Sequence, residues 1–193
     1  MTEFSCCAVI PTLNHYKVIG RVVEDLKQQN LPVIIVDDGS EGEAAAVIAA
    51  LEDLARDIIV LRHEQNRGKG AAFETGLTKA LSLGHSHALQ VDADGQHDLA
   101  DISKLIKAAR QRPDSLVTAK PVYDDSMPLG RRIGRWVTHV WVWIETLSFM
   151  ITDSMCGYRV YPVAATLDVI RAEAIGQRMD FDTSIMVHLY WRG

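Results

Sequence analysis

The chain has 193 residues, with 20 Lys and Arg against 25 Asp and Glu, so its formal charge is −5. This acidic balance argues against general nucleic-acid binding, because that function needs a concentrated basic surface. Hydrophobic residues make up 48% of the chain and charged residues 23%. These ordinary values exclude a disordered or collagen-like protein, and a chain of this length folds as one domain without a disulfide or metal staple.

The cysteines and the N-terminus indicate a cytoplasmic protein. Cys6 and Cys7 are adjacent and Cys156 is distant, a spacing that suits neither a disulfide framework nor a four-ligand zinc site. The first residues lack the regions of a signal peptide, and no apolar run reaches the ~20 residues of a membrane-spanning helix. We predict reduced cysteines and a domain that is soluble or bound peripherally to a membrane.

Short apolar runs alternate with helical patterns through the first 120 residues. The runs predict five buried strands, and the stretches between them predict four helices, with Asp98 as a helix cap. The predicted strands cover 6–10, 33–36, 58–61, 88–91 and 116–119, and the predicted helices cover 15–29, 43–56, 70–84 and 98–112. This alternation is typical of an α/β fold with a doubly wound, mostly parallel sheet and helices on both faces.

The pattern changes after residue 120. A polar loop at 121–128 precedes a basic and aromatic stretch, which is followed by a short irregular segment before residue 163 and a last helical pattern from about Val163. The sequence ends at Gly193 directly after an apolar helical run. We therefore expect the complete protein to continue beyond this residue.

Polar residues follow three of the predicted strands, at 11–14, 37–40 and 92–97. Ligands of an open α/β sheet bind at this carboxyl edge. Asp92 and Asp94 are two positions apart in extended chain, so both carboxylates face one side. Such a pair suits a hard divalent cation, and Mg²⁺ uses one or two carboxylates with phosphate oxygens. We predict a metal site with His97 as a third ligand; a polar turn with a helix cap is the alternative.

Two other segments at this edge suit a nucleotide. Asp37 and Asp38 have two interpretations. They open an ordinary Asp-Gly turn, or one of their carboxylates accepts hydrogen bonds from the base or ribose of a nucleotide. The segment at 67–70 is not a P-loop, but it suits Lys69 and backbone N–H groups near a phosphate. No Gly-rich dinucleotide motif follows a strand.

Six segments occur in an order that resembles a known family. They are AVIPTLN, VIIVDDGS, NRGKGAA, VDADGQHD, DSMCGYRVYP and MDFDTSIMVHLYWRG. Together they resemble the family 2 glycosyltransferases of the GT-A fold. The most similar branch is the polyprenyl-phosphate sugar synthases of the dolichyl-phosphate mannose synthase type, with related bacterial lipid-directed enzymes. The resemblance covers almost the whole chain.

The resemblance implies a metal-dependent, inverting transfer of a sugar from a nucleoside-diphosphate sugar to a lipid or lipid-phosphate acceptor. The implied cofactor is Mg²⁺ or Mn²⁺. It implies one catalytic domain over 1–193, with a nucleotide- and metal-binding part at 1–120 and an acceptor-side part at 121–193. The resemblance also implies that the enzyme acts in the cytoplasm, at the inner face of the cytoplasmic membrane.

The resemblance assigns roles to individual residues. It implies nucleotide-sugar contacts for Pro11, Asn14, Asp37, Asp38, Lys69 and Asp92, and metal ligation by Asp92, Asp94 and His97, with Gln96 beside them. It implies phosphate or acceptor contacts for Arg131, Arg135 and Ser184, and catalytic roles for Asp153, Asp94 and Arg159. A phosphate acceptor is already anionic and needs no strong base. A hydroxyl acceptor does need one, and Asp153 is the residue we expect to serve.

Two residues depart from the family pattern. His15 stands where many relatives have Glu, and Ser184 stands where they have an acid on the acceptor side. Asp180 and Asp182 are near Ser184 but on a different helical face. We therefore keep two alternatives open, which are a nucleotide-binding scaffold without turnover and a sugar nucleotidyltransferase. The Gly-rich loop that the latter needs after its first strand is missing.

The stretch at 131–151 combines three arginines with four aromatic residues. This combination suits peripheral contact with an anionic membrane surface. The alternative is a core helix whose tryptophans pack on the sheet. The sequence leaves the oligomeric state, the donor sugar and its base open.

Overall fold

The computed structural model describes residues 3–120, 129–178 and 180–192, without the side chains of residues 129 and 131–133. The strands are β1 (Cys6–Thr12), β2 (Val33–Asp37), β3 (Ile58–Arg62), β4 (His87–Gln90), β5 (Val117–Thr118) and β6 (Arg159–Pro162). The helices are α1 (Tyr16–Gln28), α2 (Gly42–Ala49), α3 (Lys69–Ser82), α4 (Ile102–Gln111), α5 (Leu129–Thr146), α6 (Val163–Ala172) and α7 (Phe181–Arg192).

The six strands form one sheet in the order β3-β2-β1-β4-β6-β5. Strands β1 to β4 are parallel, and β6 runs antiparallel to both of its neighbours. The chain steps outward from β1 to β3 and then returns to the other side of β1 as β4. The strand order therefore reverses between β1 and β4, which is where an α/β sheet forms a ligand crevice.

Apolar side chains cover both faces of the sheet. Residues of α1 and α4 pack in one cluster with Ala8 and Ile10, which lie on one face of β1. Residues of α3, α6 and α7 pack in a second cluster on the opposite face. The central strands β1 and β2 are buried almost throughout, because helices shield them on both sides. The predicted mostly parallel α/β sheet with helices on both faces is confirmed.

Two local predictions differ from the structure. The helix predicted over 43–56 ends at Ala49, and a short 3₁₀ helix follows at Leu54–Arg56. Asp53 interrupts it, because its backbone bridges to Ile58 and its carboxylate accepts a hydrogen bond from the Arg56 N–H. The region predicted to be irregular contains β6, whose first residue is a buried arginine rather than an apolar residue.

Helix α5 is not a core helix along its whole length. Val142 is buried, but Trp136 is 63% exposed and Trp141 is 62% exposed. The alternative in which all the tryptophans pack on the sheet is therefore wrong for these two. None of the helices in the described ranges has the length and apolarity required to cross a membrane.

Candidate functional site

A cleft of about 410 Å³ lies at the carboxyl ends of β1 and β4, where the strand order reverses. The predicted site residues in its lining are Pro11, Asp38, Lys69, Asp92 and Asp94, and His15 and Arg178 line it as well. Arg178 comes from the segment between α6 and α7. The cleft therefore draws on both parts into which the sequence divides the domain.

Lys69, at the start of α3, lies between two carboxylates. Its Nζ is 2.8 Å from Asp92 Oδ1 and 2.7 Å from Asp182 Oδ2. Burial lowers the pKa of Lys69, but the two carboxylates outweigh burial and raise this pKa. Burial also raises the pKa of Asp92, but the hydrogen bond from His97 and the Lys69 ammonium together hold it well below its usual range. Lys69 and Asp92 therefore both stay charged at neutral pH.

The predicted metal ligands do not form a ready three-ligand site. His97 stacks on Tyr158, with ring centres 4.7 Å apart, and its Nε2 lies 3.3 Å from Asp92 Oδ2. Asp94 accepts a hydrogen bond from the Gln96 N–H at 3.0 Å. Over the described part of the chain, no group of three or more His, Cys, Asp or Glu side chains is placed to hold a metal ion.

Asp92 and Asp94 nevertheless fit a divalent cation that arrives with a diphosphate. Asp92 already accepts a cation, the Lys69 ammonium, and its carboxylate stays ionised. Mg²⁺ commonly uses only one or two carboxylates and completes its coordination with phosphate oxygens and water. His97 is better described as a hydrogen-bond partner of Asp92 than as a ligand.

Asp38 holds the loop that leads into α3. This carboxylate is 3% exposed and accepts hydrogen bonds from His63 Nδ1 at 2.7 Å, from the Arg67 N–H at 3.0 Å and from the Gly68 N–H at 2.7 Å. Gly68 has a φ of +101°, which side chains disfavour. Although Asp38 borders the cleft, its oxygens are directed to this loop, and it thereby positions Lys69.

Asp37 and Asn14 are also engaged by neighbouring loops. Asp37 is 1% exposed, accepts a hydrogen bond from the Ser40 N–H and forms an ion pair with Arg62 at 3.1 Å. The Asn14 N–H donates to Ser40 Oγ, and Asn14 Oδ1 accepts a hydrogen bond from the Glu41 N–H. Both residues shape the loop after β2. Their contact with a base or ribose stays a prediction.

Arg159 lies inside the protein rather than in the cleft. It has no exposed surface and donates hydrogen bonds to the carbonyl oxygens of Asp182 and Ser154 and to the Tyr161 hydroxyl. The catalytic role predicted for Arg159 needs a side chain that reaches the substrate, and this buried guanidinium is not part of the cleft lining. Arg159 instead fixes the first turn of α7, where Asp182 is located.

Asp153 and Arg135 form an ion pair. Asp153 borders a second cavity of about 480 Å³ and is not part of the cleft lining. Its Oδ1 accepts hydrogen bonds from the Met155 and Cys156 N–H groups, both at 2.9 Å. Both oxygens of the Asp153 carboxylate therefore already have polar partners within the protein. Arg131 lies in α5, but its side chain is outside the described part of the structure.

The acid of the last motif that contacts a residue of the cleft lining is Asp182, which pairs with Lys69; position 184 is a serine. Ser184 Oγ accepts a weak hydrogen bond from the Gly176 N–H at 3.4 Å. Asp182 binds Lys69 and accepts a hydrogen bond from Gln90 Nε2 at 2.9 Å. In the sequence, Asp182 could have been noticed through its neighbour Phe181, a large apolar residue that is buried in the structure. The two residues open the last helix, α7.

Three comparisons with known proteins agree with this geometry. The model of the family described as "Glycosyl transferase family 2" matches residues 7–176. The chain belongs to glycosyltransferase family 2. Two curated relatives of this glycosyltransferase have a lipid phosphate in their names. The UDP-N-acetylglucosamine–dolichyl-phosphate N-acetylglucosaminyltransferase of Methanococcus voltae is 32% identical over 81% of this chain and 69% of its own. The undecaprenyl-phosphate mannosyltransferase of Micrococcus luteus is 28% identical over 89% of this chain and 74% of its own.

A solved structure has the same fold. It is the mannosyltransferase PcManGT of Pyrobaculum calidifontis in complex with GDP-Man and Mn²⁺, with a TM-score of 0.60 at 15% identity. The match covers 94% of this family 2 glycosyltransferase but only 51% of the PcManGT chain. The chain thus spans about two thirds to three quarters of these two curated relatives and about half of this structure.

Proposed function

We propose that this chain transfers a sugar from a nucleoside-diphosphate sugar to a lipid phosphate, with a divalent metal ion and inversion at the anomeric carbon. The observation that carries the proposal is the cleft in which Lys69, Arg178, Asp92 and Asp94 converge at the switch point of the sheet. The two curated relatives named above support the lipid-phosphate acceptor. The complex of PcManGT supports the metal and the nucleotide sugar.

The charges of the cleft suit departure of a nucleoside diphosphate. Negative charge develops on the leaving diphosphate as the bond to the sugar breaks, and preorganised positive groups stabilise it. Lys69 and Arg178 supply such groups from two different elements. A divalent ion held by Asp92 and Asp94 would add further positive charge at the same oxygens. Direct displacement then leaves the sugar with inverted configuration.

The state of Asp153 favours a phosphate acceptor over a hydroxyl acceptor. A hydroxyl needs a free carboxylate within hydrogen-bond reach to take its proton. Both oxygens of Asp153 are engaged, one by two backbone N–H groups and one by Arg135. A lipid phosphate is already anionic and needs no such base. Arg135, predicted to meet the acceptor phosphate, would then exchange part of its pairing with Asp153 for that phosphate.

Turnover with defined substrates tests this function. The purified chain is incubated with UDP-GlcNAc or GDP-mannose, Mn²⁺ and a short polyprenyl phosphate, and lipid-linked sugar and nucleoside diphosphate are measured. We expect one donor to react, with the product anomer inverted relative to the donor by NMR. Asp94→Asn should lower the rate by at least about a hundredfold.

Asp101→Asn is the matched control, because Asp101 pairs only with exposed Lys104 in the described structure. It should keep the wild-type rate. Absence of product with every donor, or equal rates for Asp94→Asn and the wild type, would refute the proposed transferase.

We also propose that the outer face of α5 and the segment after it contact a membrane surface. The exposed apolar residues there are Trp136, Val137, Trp141, Ile144, Leu147, Phe149 and Met150, of which Leu147 is 92% and Phe149 80% exposed. Tryptophan and other apolar side chains on an otherwise polar helix suit the membrane interface. A lipid acceptor would be presented at that surface.

Vesicle sedimentation tests the membrane contact. The wild type should pellet with phosphatidylglycerol-containing vesicles, and the double variant Trp141→Ser, Phe149→Ser should stay in the supernatant. Leu54→Ser is the control, because Leu54 is 69% exposed on a different part of the surface. A wild type that stays in the supernatant at low salt contradicts the membrane contact while leaving the transferase untouched.

A further inference from the structure

We infer that Asp182 is a positioning residue for Lys69. When a divalent cation replaces the Lys69 ammonium at the Asp92 carboxylate, Asp182 keeps this ammonium in place. This replacement at Asp92 is called the exchange. This inference rests on the proposed metal site at Asp92. It goes beyond that site because it assigns a function to Asp182 and predicts that Lys69 opposes metal binding in the free protein.

The first observation is that one ammonium bridges two carboxylates. Lys69 Nζ is 2.8 Å from Asp92 Oδ1 and 2.7 Å from Asp182 Oδ2. The side chains of Lys69, Asp92 and Asp182 are 25%, 29% and 13% exposed, so the charges are only partly screened by solvent. A divalent cation on Asp92 therefore meets a positive charge already bound to the same carboxylate.

The second observation is that Asp182 is fixed on several sides. Gln90 is fully buried and donates to Asp182 Oδ1 at 2.9 Å. The buried Arg159 guanidinium donates to the Asp182 carbonyl oxygen. Asp182 is thus anchored independently of Lys69, whereas Lys69 is a long side chain with rotamer freedom. When one partner moves, the geometry favours movement of Lys69.

The third observation is that the space around the ammonium depends on a missing side chain. A Cβ on Gly157 would lie 2.9 Å from Lys69 Nζ, 2.7 Å from Gln90 Nε2 and 3.1 Å from Asp92 Oδ2. The backbone at Gly157 therefore packs directly on the three polar groups. A side chain at this position would crowd the Lys69 ammonium and the Asp92 carboxylate that it contacts.

The exchange follows from the charges. Without metal, one ammonium partly neutralises two carboxylates. With metal on Asp92, the ammonium retains a full counter-charge in Asp182 and remains close to the leaving diphosphate. Without Asp182, the ammonium has Asp92 as its only carboxylate partner among these contacts. It then competes directly with the metal.

Mn²⁺ binding by the free protein tests the exchange, with electron paramagnetic resonance reporting unbound Mn²⁺ in the absence of any sugar nucleotide. Lys69→Gln should bind Mn²⁺ about tenfold more tightly than the wild type, and Asp182→Asn about tenfold more weakly, because like charges repel strongly at this range. In the Lys69→Gln background, Asp182→Asn should weaken binding by less than about threefold, since its partner is gone.

Lys79→Gln and Asp168→Asn are matched controls that change the same charges elsewhere on α3 and α6, and they should bind Mn²⁺ like the wild type. Circular dichroism verifies folding. Should Lys69→Gln not fold, Lys69→Arg retains the cation and should bind Mn²⁺ no more tightly than the wild type. Tighter binding by Lys69→Arg would overturn the exchange.

Two other outcomes would overturn the inference alone. One is a Lys69→Gln protein that binds Mn²⁺ no more tightly than the wild type. The other is an equal loss on Asp182→Asn in both backgrounds, which would show that Asp182 acts as a charge and not through Lys69. If Asp92→Asn binds Mn²⁺ as tightly as the wild type, the proposed metal site fails as well.

Discussion

The loop between β3 and α3 depends on one buried carboxylate, and Asp38→Asn tests this dependence. Asp38 accepts three hydrogen bonds, from His63 Nδ1 and two backbone N–H groups. An asparagine replaces one oxygen by an NH₂ group, which in either orientation faces at least one of these donors. The variant thus loses the charge and leaves a buried N–H group without an acceptor.

The expected loss can be estimated from these contacts. Hydrogen bonds to a charged group contribute about 1.5–3 kcal/mol, and an unsatisfied buried donor costs about 1–3 kcal/mol, so the free energy of unfolding should fall by about 2–4 kcal/mol. For a chain of this length, this loss lowers the melting temperature by about 4–16 °C. The Michaelis constant for the donor should also rise, because the loop places Lys69.

Urea unfolding followed by circular dichroism measures the loss. Asp101→Asn is the control, since solvent screens the exposed ion pair between Asp101 and Lys104 and its loss should leave the unfolding curve unchanged. A loss below about 0.5 kcal/mol on Asp38→Asn would refute the structural role of this carboxylate.

Two further changes have defined outcomes. Gly157→Ala places a Cβ 2.7 Å from the buried Gln90 Nε2; calorimetry should show a loss of about 1–3 kcal/mol, and unchanged stability would contradict the close packing. Burial lowers the pKa of His87 below 6.5, although its hydrogen bond to Pro113 opposes the shift. The unfolded chain therefore takes up the proton first as the pH falls, and the free energy of unfolding should decrease as the pH falls through about 6.5, the usual pKa of histidine. His87→Gln should reduce this decrease, and an identical pH profile for both proteins would count against it.

The apolar pattern determined much of the fold. Four of the five predicted strands are the parallel strands β1 to β4, because continuous apolar runs arise where helices cover a sheet on both faces. Strand β6 was missed, since its first residue is the buried Arg159. Apolar periodicity gives no signal for a strand that begins with a buried arginine, and one of its hydrogen-bond partners, the Asp182 carbonyl oxygen, lies 23 residues away.

The carboxyl edge of the sheet was likewise predictable. Pro11, Lys69, Asp92 and Asp94 line the cleft, because the ends of parallel strands meet at one edge wherever the strand order reverses. The direction of each side chain at that edge was not predictable. Asp38 is directed to its own loop, and Arg159 is buried beneath α7.

The acidic balance of the chain was visible from composition, but the pairing of its charges was not. Asp182 lies 113 residues from Lys69 in sequence, and it reaches Lys69 because α7 packs against α3 on one face of the sheet. Sequence alone determined the four parallel strands and the edge at which a ligand would bind, because continuous apolar runs predict buried parallel strands and the polar residues after them meet at one edge. Only the tertiary structure decided which carboxylate holds Lys69, because that contact depends on how two helices distant in sequence pack together.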